Sequence, residues 1–254
     1  MTVAVIIPVY NAEPFIKAAI LSLVSERDQV KLDIIAIEDG STDRTPDILA
    51  LCAKEVPELR VLRNPRKGIA AARNTGIEAL RADCRFVAFL DADDLSVRGR
   101  IANQRSLLEA NPSIDALYGK VEMFSHADPA TMGPMKDRPT RIIRGPYLQS
   151  AMFRRSVFER VGPFDESYRQ GCDTDFVLRL ADAGVNLSLD EGIAAYYRRH
   201  NTNVTLDRTE MHREFIRATM KSAIRNRIKG KPQLPAIFDS LFMNRAHIED
   251  EQAS

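Results

Sequence analysis

The sequence predicts an α/β fold in which helices flank a mostly parallel β-sheet and a helical extension follows at the C-terminal end. Three observations support this prediction. Short β-branched runs alternate with helix-patterned segments over the first 110 residues, which is typical of βαβ units. The chain has 254 residues, 44% of them hydrophobic, and is long enough to bury a substantial core. The last 50 residues change to a basic amphipathic pattern.

The first half of the chain alternates predicted strands and helices. Apolar residues at helical spacing between Phe15 and Leu23 predict the first helix, and Pro14 suits its first turn. Thr45 and Pro46 offer an N-cap and a first-turn proline for the second helix. The strands are predicted at residues 3–7, 32–37, 59–62 and 86–90, and two further helices at 69–82 and 97–109.

The second half begins after Asn111-Pro112, which ends the preceding helix. Residues 125–146 contain four prolines and two glycines, which predicts a long irregular loop. Such loops are usually functional or disordered, and we favour a functional one. The other predicted elements are strands at 114–124 and 151–154, a short capped helix at 156–161, a helix at 173–183 stopped by Gly184, and a β-rich segment at 187–199.

The last predicted element is a basic amphipathic helix within the extension at 206–254. Its apolar stripe comprises Phe215, Ile216, Met220, Ala223, Ile224 and Ile228, and the basic residues among them are Arg213, Arg217, Lys221, Arg225 and Arg227. We favour a helix that docks on the domain through this stripe and leaves a solvated cationic face. Peripheral contact with a membrane surface and homo-oligomerisation are the alternatives.

Composition and charge exclude several functional classes. Lys and Arg residues number 36 and Asp and Glu residues 35, so the net charge of +1 provides no general attraction to nucleic acid. Cys52, Cys84 and Cys172 are far apart and form no CxxC pair, which argues against a disulfide framework or a cysteine zinc site. The apolar run at 3–7 is too short for a signal peptide or a membrane span. We therefore expect a cytoplasmic protein that does not bind nucleic acid.

Three polar clusters follow predicted strands one, two and four, at the sheet edge where open parallel sheets bind ligands. Pro8 and Tyr10 belong to the first cluster, Asp39 to the second, and Asp91 and Asp93 to the third. Two carboxylates at that spacing suit a hard divalent cation that bridges a diphosphate. The Tyr10 ring and the Asp39 carboxylate suit a nucleotide base. A solvated acidic turn and a half-buried core aromatic are the structural alternatives.

Three further residues are candidates for chemistry. Arg73 carries a charge that can neutralise phosphate, and a surface arginine is the alternative. Asp173 is predicted near the start of a helix, where it is either an N-cap or a general base. His200 is predicted on a loop, as a metal ligand, a phosphate donor or a residue with neither role. The residues alone leave these alternatives open.

Six ordered motifs resemble those of the family 2 glycosyltransferases. They lie at residues 5–11 (VIIPVYN), 38–43 (EDGSTD), 72–76 (ARNTG), 90–94 (LDADD), 161–166 (VGPFDE) and 173–176 (DTDF). The resemblance covers roughly residues 3–205 and is far more specific than any single motif. It implies a Rossmann-like GT-A fold over residues 1–205, with a nucleotide-binding half at 1–110 and an acceptor-binding half at 111–205. It also implies a nucleotide-sugar donor, usually a UDP-sugar, a Mn²⁺ or Mg²⁺ ion, and inversion at the anomeric carbon.

The resemblance also implies a role for each candidate residue. The nucleotide-sugar contacts are Pro8, Tyr10, Asp39, Arg73, Asp91 and Asp93. The metal ligands are Asp93, Asp91 and His200. Asp173 is the catalytic base that deprotonates an acceptor hydroxyl, which attacks the anomeric carbon opposite the departing diphosphate. The implied function is single-sugar transfer to a glycan, lipid-linked or other hydroxyl acceptor in bacterial cell-envelope polysaccharide synthesis.

Some features depart from the family pattern or favour other functions. Cys172 stands where many family members have an acidic residue before the base, and no QxxRW-like segment is present, which argues against a processive synthase. A sugar-nucleotide nucleotidyltransferase would need a Gly-rich basic loop after strand one, and residues 8–11 do not form one. The remaining alternative is a catalytically inactive nucleotide-sugar-binding module. We expect the loop at 125–147 and the C-terminal helix to determine acceptor choice.

Overall fold

The computed structural model describes residues 2–128, 130–131, 133–201 and 208–229. The strands are β1 (Thr2–Val9), β2 (Lys31–Glu38), β3 (Leu59–Arg63), β4 (Cys84–Phe89), β5 (Leu95–Ser96), β6 (Ala116–Phe124), β7 (Ala127–Asp128), β8 (Gly133–Pro134), β9 (Arg141–Ile143), β10 (Ala151–Arg154) and β11 (Leu187–Arg198). The helices are α1 (Ile16–Val24), α2 (Thr45–Glu55), α3 (Ile69–Glu78), α4 (Arg100–Ala110), α5 (Ser156–Val161), α6 (Cys172–Asp182) and α7 (Arg208–Lys229), and a 3-10 turn covers Leu148–Ser150.

One large sheet contains strands from both predicted halves of the chain. Its order is β3-β2-β1-β4-β10-β6-β11-β5, and β9 pairs with β6. β1 is parallel to β2 and β4, and β2 is parallel to β3. β10 is antiparallel to both β4 and β6 and joins the second half to the first, while β6 and β11 are parallel. The division into a nucleotide-binding and an acceptor-binding half stays a prediction.

The sheet separates two hydrophobic cores. Val3, Val5 and Ile7 of β1 pack with residues of α1, α2 and α4, whereas Ala4 and Ile6 pack with residues of α3, α5 and α6. Because helices cover both faces, β1 is apolar on both sides. This burial explains the continuous apolar run in the sequence.

Several short elements differ from the sequence predictions. Residues 125–146 are not wholly irregular, because β7 pairs with β8 and β9 pairs with β6. The predicted helix at 97–109 begins later, at Arg100, after Gly99 in a left-handed conformation with φ of 82°. Thr45 is not the N-cap of α2, because its Oγ1 accepts the N–H of Ala12 at 2.8 Å. These elements depend on tertiary contacts that leave no periodic pattern in the sequence.

Helix α7 exists as predicted but packs through a different face. Glu214, Ala218 and Ser222 are buried, whereas Ile216 and Met220 of the predicted docking stripe are exposed. The prediction that the apolar stripe docks on the domain is therefore wrong. The side chain of Ile228 and residues 206–207 and 230–254 of the predicted extension lie outside the described residues.

Polar interactions explain the choice of face. The buried carboxylate of Asp182 on α6 accepts hydrogen bonds from Ser222 at 3.0 Å, Arg225 at 2.5 Å and Asn226 at 2.8 Å. Leaving a buried carboxylate unpaired is costly, so these contacts favour the polar face of α7. Within the described part of the chain, no helix is long and apolar enough to cross a membrane.

Candidate functional site

The carboxyl ends of β1, β2 and β4 meet at one edge of the sheet. Because these strands are parallel neighbours, the residues that follow them lie close together. Tyr10 and Asp39 directly follow β1 and β2, and Asp91 comes two residues after β4. Pro8 lies within β1, opposite Ile37 of β2. The structure thus brings the three predicted polar clusters to one edge.

The second cluster is centred on Asp39. Its Oδ1 accepts a hydrogen bond from Asn64 Nδ2 at 2.6 Å, and its Oδ2 accepts the N–H of Gly68 at 2.9 Å. Tyr10 beside it is 59% exposed and offers a free ring face. Sequence reasoning misses Asn64. This residue directly follows β3, so it is found when polar residues after the third strand are considered together with those after strands one, two and four.

Arg73 on α3 connects the first half of the chain to α6. Its guanidinium is 1% exposed, hydrogen-bonds to Asp173, and pairs with Oδ1 of Asp91 at 3.3 Å. It also contacts Cys172 Sγ at 3.2 Å. Burial lowers the pKa of Arg73, but the charges of Asp173 and Asp91 outweigh burial and raise that pKa above its ordinary value. Arg73 is not a surface arginine, and its contact with a nucleotide stays a prediction.

The turn after β4 concentrates carboxylates. Burial raises the pKa of Asp91 to about 6 against the opposing charge of Arg73, and the charges of Asp173 and Asp93 add to the rise. Burial also raises the pKa of Asp94 well above its ordinary value. Asp94 accepts the N–H of Arg198 at 2.8 Å and a Gln149 side-chain hydrogen bond at 3.0 Å, so it anchors this turn to β11 and to the 3-10 turn.

Asp93 of the third cluster contacts His200, and this pair is held by Phe15 and Arg198, two residues whose role sequence reasoning misses. His200 Nε2 lies 2.9 Å from Asp93 Oδ2, and the imidazole stacks on Phe15 with ring centroids 4.6 Å apart. Arg198 Nε donates to the backbone oxygen of Asp93 at 2.8 Å, and its guanidinium lies over the Phe15 ring. Phe15 therefore orients His200 instead of joining the core, a role that its helical spacing does not reveal.

Asp173 lies in the first turn of α6, whose N-cap is Gly171. The N-cap alternative for Asp173 is therefore wrong. Its carboxylate is 27% exposed and is held by Arg73. Cys172 beside it is buried, and burial raises the pKa of its thiol far above the ordinary value. The side chain directly before Asp173 is thus an uncharged thiol.

The predicted metal ligands are only partly brought together. Asp93 and His200 are in contact, whereas Asp91 pairs with Arg73. Within the residues that the structure describes, no group of three or more His, Cys, Asp or Glu side chains is arranged to hold a metal ion. A neighbouring carboxylate oxygen and imidazole nitrogen nevertheless suit Mn²⁺, whose other positions accept phosphate oxygens and water. The chemistry of this donor pair fits the expected ion.

Comparison of the sequence with known proteins identifies a family and bacterial relatives. Residues 4–162 match the family described as glycosyl transferase family 2. The uncharacterized glycosyltransferase EpsJ of Bacillus subtilis is 31% identical over 219 residues, covering 79% of this chain and 62% of EpsJ. The uncharacterized glycosyltransferase alr2836 of Nostoc sp. is 26% identical over 219 residues, covering 80% of this chain and 66% of that protein. The chain therefore spans about two thirds or less of these relatives.

Solved structures share the fold. The mannosyltransferase PcManGT from Pyrobaculum calidifontis, in complex with GDP-Man and Mn²⁺, aligns with a TM-score of 0.69 at 22% identity, covering 96% of this chain and 69% of its own. S. aureus TarS 1-349, in complex with UDP-GlcNAc, aligns with a TM-score of 0.66 at 17% identity, covering 89% of this chain and 66% of its own. At these identities the likeness establishes the fold alone, and it confirms the predicted GT-A architecture.

Proposed function

Because the chain belongs to glycosyl transferase family 2, we propose that it is an inverting glycosyltransferase that moves a single sugar from a nucleotide-diphosphate donor to a hydroxyl group. The observation that carries the proposal is the chain of ion pairs from Asp91 through Arg73 to Asp173. It joins a carboxylate that follows β4 to one at the start of α6. The guanidinium of Arg73 therefore contacts both a carboxylate at the sheet edge proposed to bind the donor and the carboxylate proposed as the general base.

The nucleotide is assigned to the ends of β1 and β2. Each oxygen of Asp39 accepts one hydrogen bond from the protein and keeps a second lone pair for a ring N–H of a base. The exposed ring of Tyr10 provides a stacking face. We propose a UDP-sugar as the donor. The neighbours of the same fold bind UDP-GlcNAc or GDP-Man, so direct titration identifies the nucleotide.

A divalent ion, Mn²⁺ or Mg²⁺, is assigned to Asp93 and His200, with Asp91 beside the ribose. The adjacent oxygen and nitrogen donors of Asp93 and His200 support this assignment. The Mn²⁺ in the neighbouring mannosyltransferase complex also supports it. When bound, the ion stabilises negative charge on the leaving diphosphate. Phe15 and Arg198 hold the two protein ligands in place.

Asp173 is assigned as the general base. It accepts the proton of the acceptor hydroxyl, whose oxygen bonds to the anomeric carbon from the face opposite the diphosphate. The carbon–oxygen bond to the diphosphate breaks, and the diphosphate leaves with the electron pair. Arg73 holds the Asp173 carboxylate by a hydrogen bond. Cys172 contributes no charge because its thiol stays protonated.

The acceptor is assigned to a glycan or lipid-linked hydroxyl compound of bacterial cell-envelope synthesis. The bacterial origin of the relatives supports this assignment. The segment at 125–147, which contains β7, β8 and β9, stays the predicted determinant of acceptor choice. A cytoplasmic location also stays a prediction.

Calorimetric titration with UDP, GDP and dTDP, each with and without Mn²⁺, tests the donor assignment. Metal-dependent binding of one nucleotide is expected. Release of that nucleotide from its sugar, with alkyl glycosides as acceptors, then tests catalysis. Asp173→Asn should bind the nucleotide normally and transfer about 10²- to 10⁴-fold more slowly. Asp47→Asn, an exposed carboxylate on α2, is the control.

Two outcomes contradict the proposal. Unchanged transfer by Asp173→Asn overturns the assignment of the base. Nucleotide binding by the wild-type protein without transfer to any acceptor favours the catalytically inactive binding module instead.

A further inference from the structure

Helix α7 carries an exposed apolar face on the side opposite its contacts with α6. Ile216, Met220 and Ile224, here called the outer stripe, are spaced four residues apart and therefore share one face of the helix. They are 44%, 60% and 58% exposed. Ala218 and Ser222 on the opposite face are buried. A row of large apolar side chains with this exposure is typical of an interaction surface.

Positive charge accompanies the outer stripe. Arg213, Arg217 and Arg227 are exposed on the same side of α7. One of these charges is offset by Glu210, which pairs with Arg213 at 2.6 Å, and Glu214 bonds to the backbone beneath the helix, so basic residues still outnumber acidic ones on this side. Apolar side chains flanked by arginines complement a lipid surface that carries anionic headgroups.

We propose that the outer stripe docks α7 on an anionic lipid bilayer, independently of the proposed sugar transfer. Ile216, Met220 and Ile224 enter the boundary between headgroups and acyl chains, and the arginines contact lipid phosphates. A second copy of this helix complements the surface less well, because a symmetric pair brings the arginines of both copies together.

Vesicle co-sedimentation of the full chain tests the docking proposal. Vesicles of phosphatidylcholine are compared with vesicles that also contain phosphatidylglycerol. The chain should sediment with the anionic vesicles only, and high salt should release it. The triple variant I216S/M220S/I224S should not sediment. The double variant R213Q/R227Q should bind roughly 25-fold more weakly, at about fivefold for each basic residue.

A control variant and three contrary outcomes complete this test. Leu51 on α2 is also a large exposed apolar residue, and Leu51→Ser should bind like the wild type. Equal sedimentation of the triple variant and the wild type overturns the proposal, as does equal binding to both kinds of vesicle. Analytical ultracentrifugation tests the other occupant. If the wild type is a dimer and, among these variants, only the triple variant is a monomer, the outer stripe is a contact between two copies of the chain.

A separate observation concerns the inner face of α7. The buried carboxylate of Glu214 accepts the backbone N–H groups of Arg169 at 2.8 Å, Gln170 at 2.7 Å and Gly171 at 2.6 Å. A Cβ added at Gly171 would lie 2.8 Å from the Glu214 Cβ, so glycine allows this close approach. The three bonded residues lead directly into α6 and, two residues later, to Asp173.

We infer that Glu214 is a positioning residue for Asp173, an inference that rests on the proposed function. Charge-assisted hydrogen bonds to three successive N–H groups fix the backbone from which α6 starts. Lys221 of α7 also pairs with Asp165 at 2.7 Å and holds the preceding part of the loop. Helix α7 thereby sets the direction of a base that lies 41 residues earlier in the chain.

Glu214→Gln tests this inference, because the amide keeps the size of the side chain but replaces one acceptor oxygen by a donor. Glu210→Gln, on the same helix and paired with Arg213, is the control. For Glu214→Gln we expect kcat to fall about tenfold to a hundredfold. Nucleotide affinity and the donor KM should stay unchanged. Amide hydrogen exchange at residues 169–171, which needs no acceptor, should accelerate in Glu214→Gln alone.

The outcomes separate this inference from the proposed function. Unchanged amide exchange in Glu214→Gln overturns the positioning role. Normal kcat in Glu214→Gln together with an inactive Asp173→Asn overturns the inference and leaves the proposed base in place. An active Asp173→Asn overturns the proposed base itself. A loss of kcat that occurs together with a loss of nucleotide affinity shows a structural role and also overturns the inference.

Discussion

Replacement of Asp91 by Asn is expected to stabilise the ligand-free protein while it impairs donor binding. Burial raises the pKa of Asp91 from 3.8 to about 6, although Arg73 opposes the rise. The ionised carboxylate is therefore less favourable in the folded chain than in the unfolded chain. A carboxylate that lowers the stability of the fold in this way is typical of a functional site, where carboxylates lie close together because they bind a ligand.

The sign and size of the effect follow from the pKa. Because the folded-state pKa lies above the unfolded one, the folded chain binds the extra proton, and stability falls as the pH rises from 3.8 to about 6. At about 1.4 kcal/mol per pH unit, the full cost is about 3 kcal/mol at neutral pH. This figure is an upper bound for Asp91→Asn, because the Asp91 side chain is 26% exposed and the water around it screens part of the cost of its charge.

Urea unfolding of both proteins between about pH 4 and pH 8 measures this effect. The two proteins should have similar unfolding free energies near pH 4. The advantage of Asp91→Asn should grow to about 1–3 kcal/mol near pH 6 and then stay constant. Asp47→Asn, which changes an exposed carboxylate, should show no such growth. A lower stability of Asp91→Asn than of the wild type at pH 7.5 would refute the reasoning.

Three further substitutions test the packing and the site. Gly76→Ala places a Cβ 2.5 Å from Ile6 Cγ2, so the urea-unfolding free energy should fall by about 1–3 kcal/mol; an unchanged value contradicts this packing. Tyr10→Ala should weaken nucleotide binding, measured by calorimetry, at least about fivefold, whereas Tyr10→Phe should not, because the ring provides the stacking. If Tyr10→Ala binds the nucleotide as tightly as the wild type, stacking on Tyr10 is excluded. His200→Ala should raise the Mn²⁺ concentration for half-maximal transfer about tenfold, and no change excludes His200 from the metal site.

The sequence predicts those parts of the site that follow strands. Strand β1 is recognisable because burial on both faces requires a continuous apolar run, and parallel strands place their carboxyl ends together. The positions of Tyr10, Asp39 and Asp91 at one edge therefore follow from local patterns. Short elements such as β5 and β9 are too brief for such a pattern to appear.

Long-range contacts behave differently. Arg73 and Asp173 are 100 residues apart, and the hydrophobic core that α3 and α6 share brings them together. The docking face of α7 likewise depends on the buried carboxylate of Asp182, so apolar spacing within the helix predicts the wrong face. The sequence by itself thus determined the longer elements and the sheet edge, because backbone geometry imposes local periodicity. Tertiary structure alone decided the side-chain pairs of the site, because such contacts follow from packing and charge compensation between distant segments.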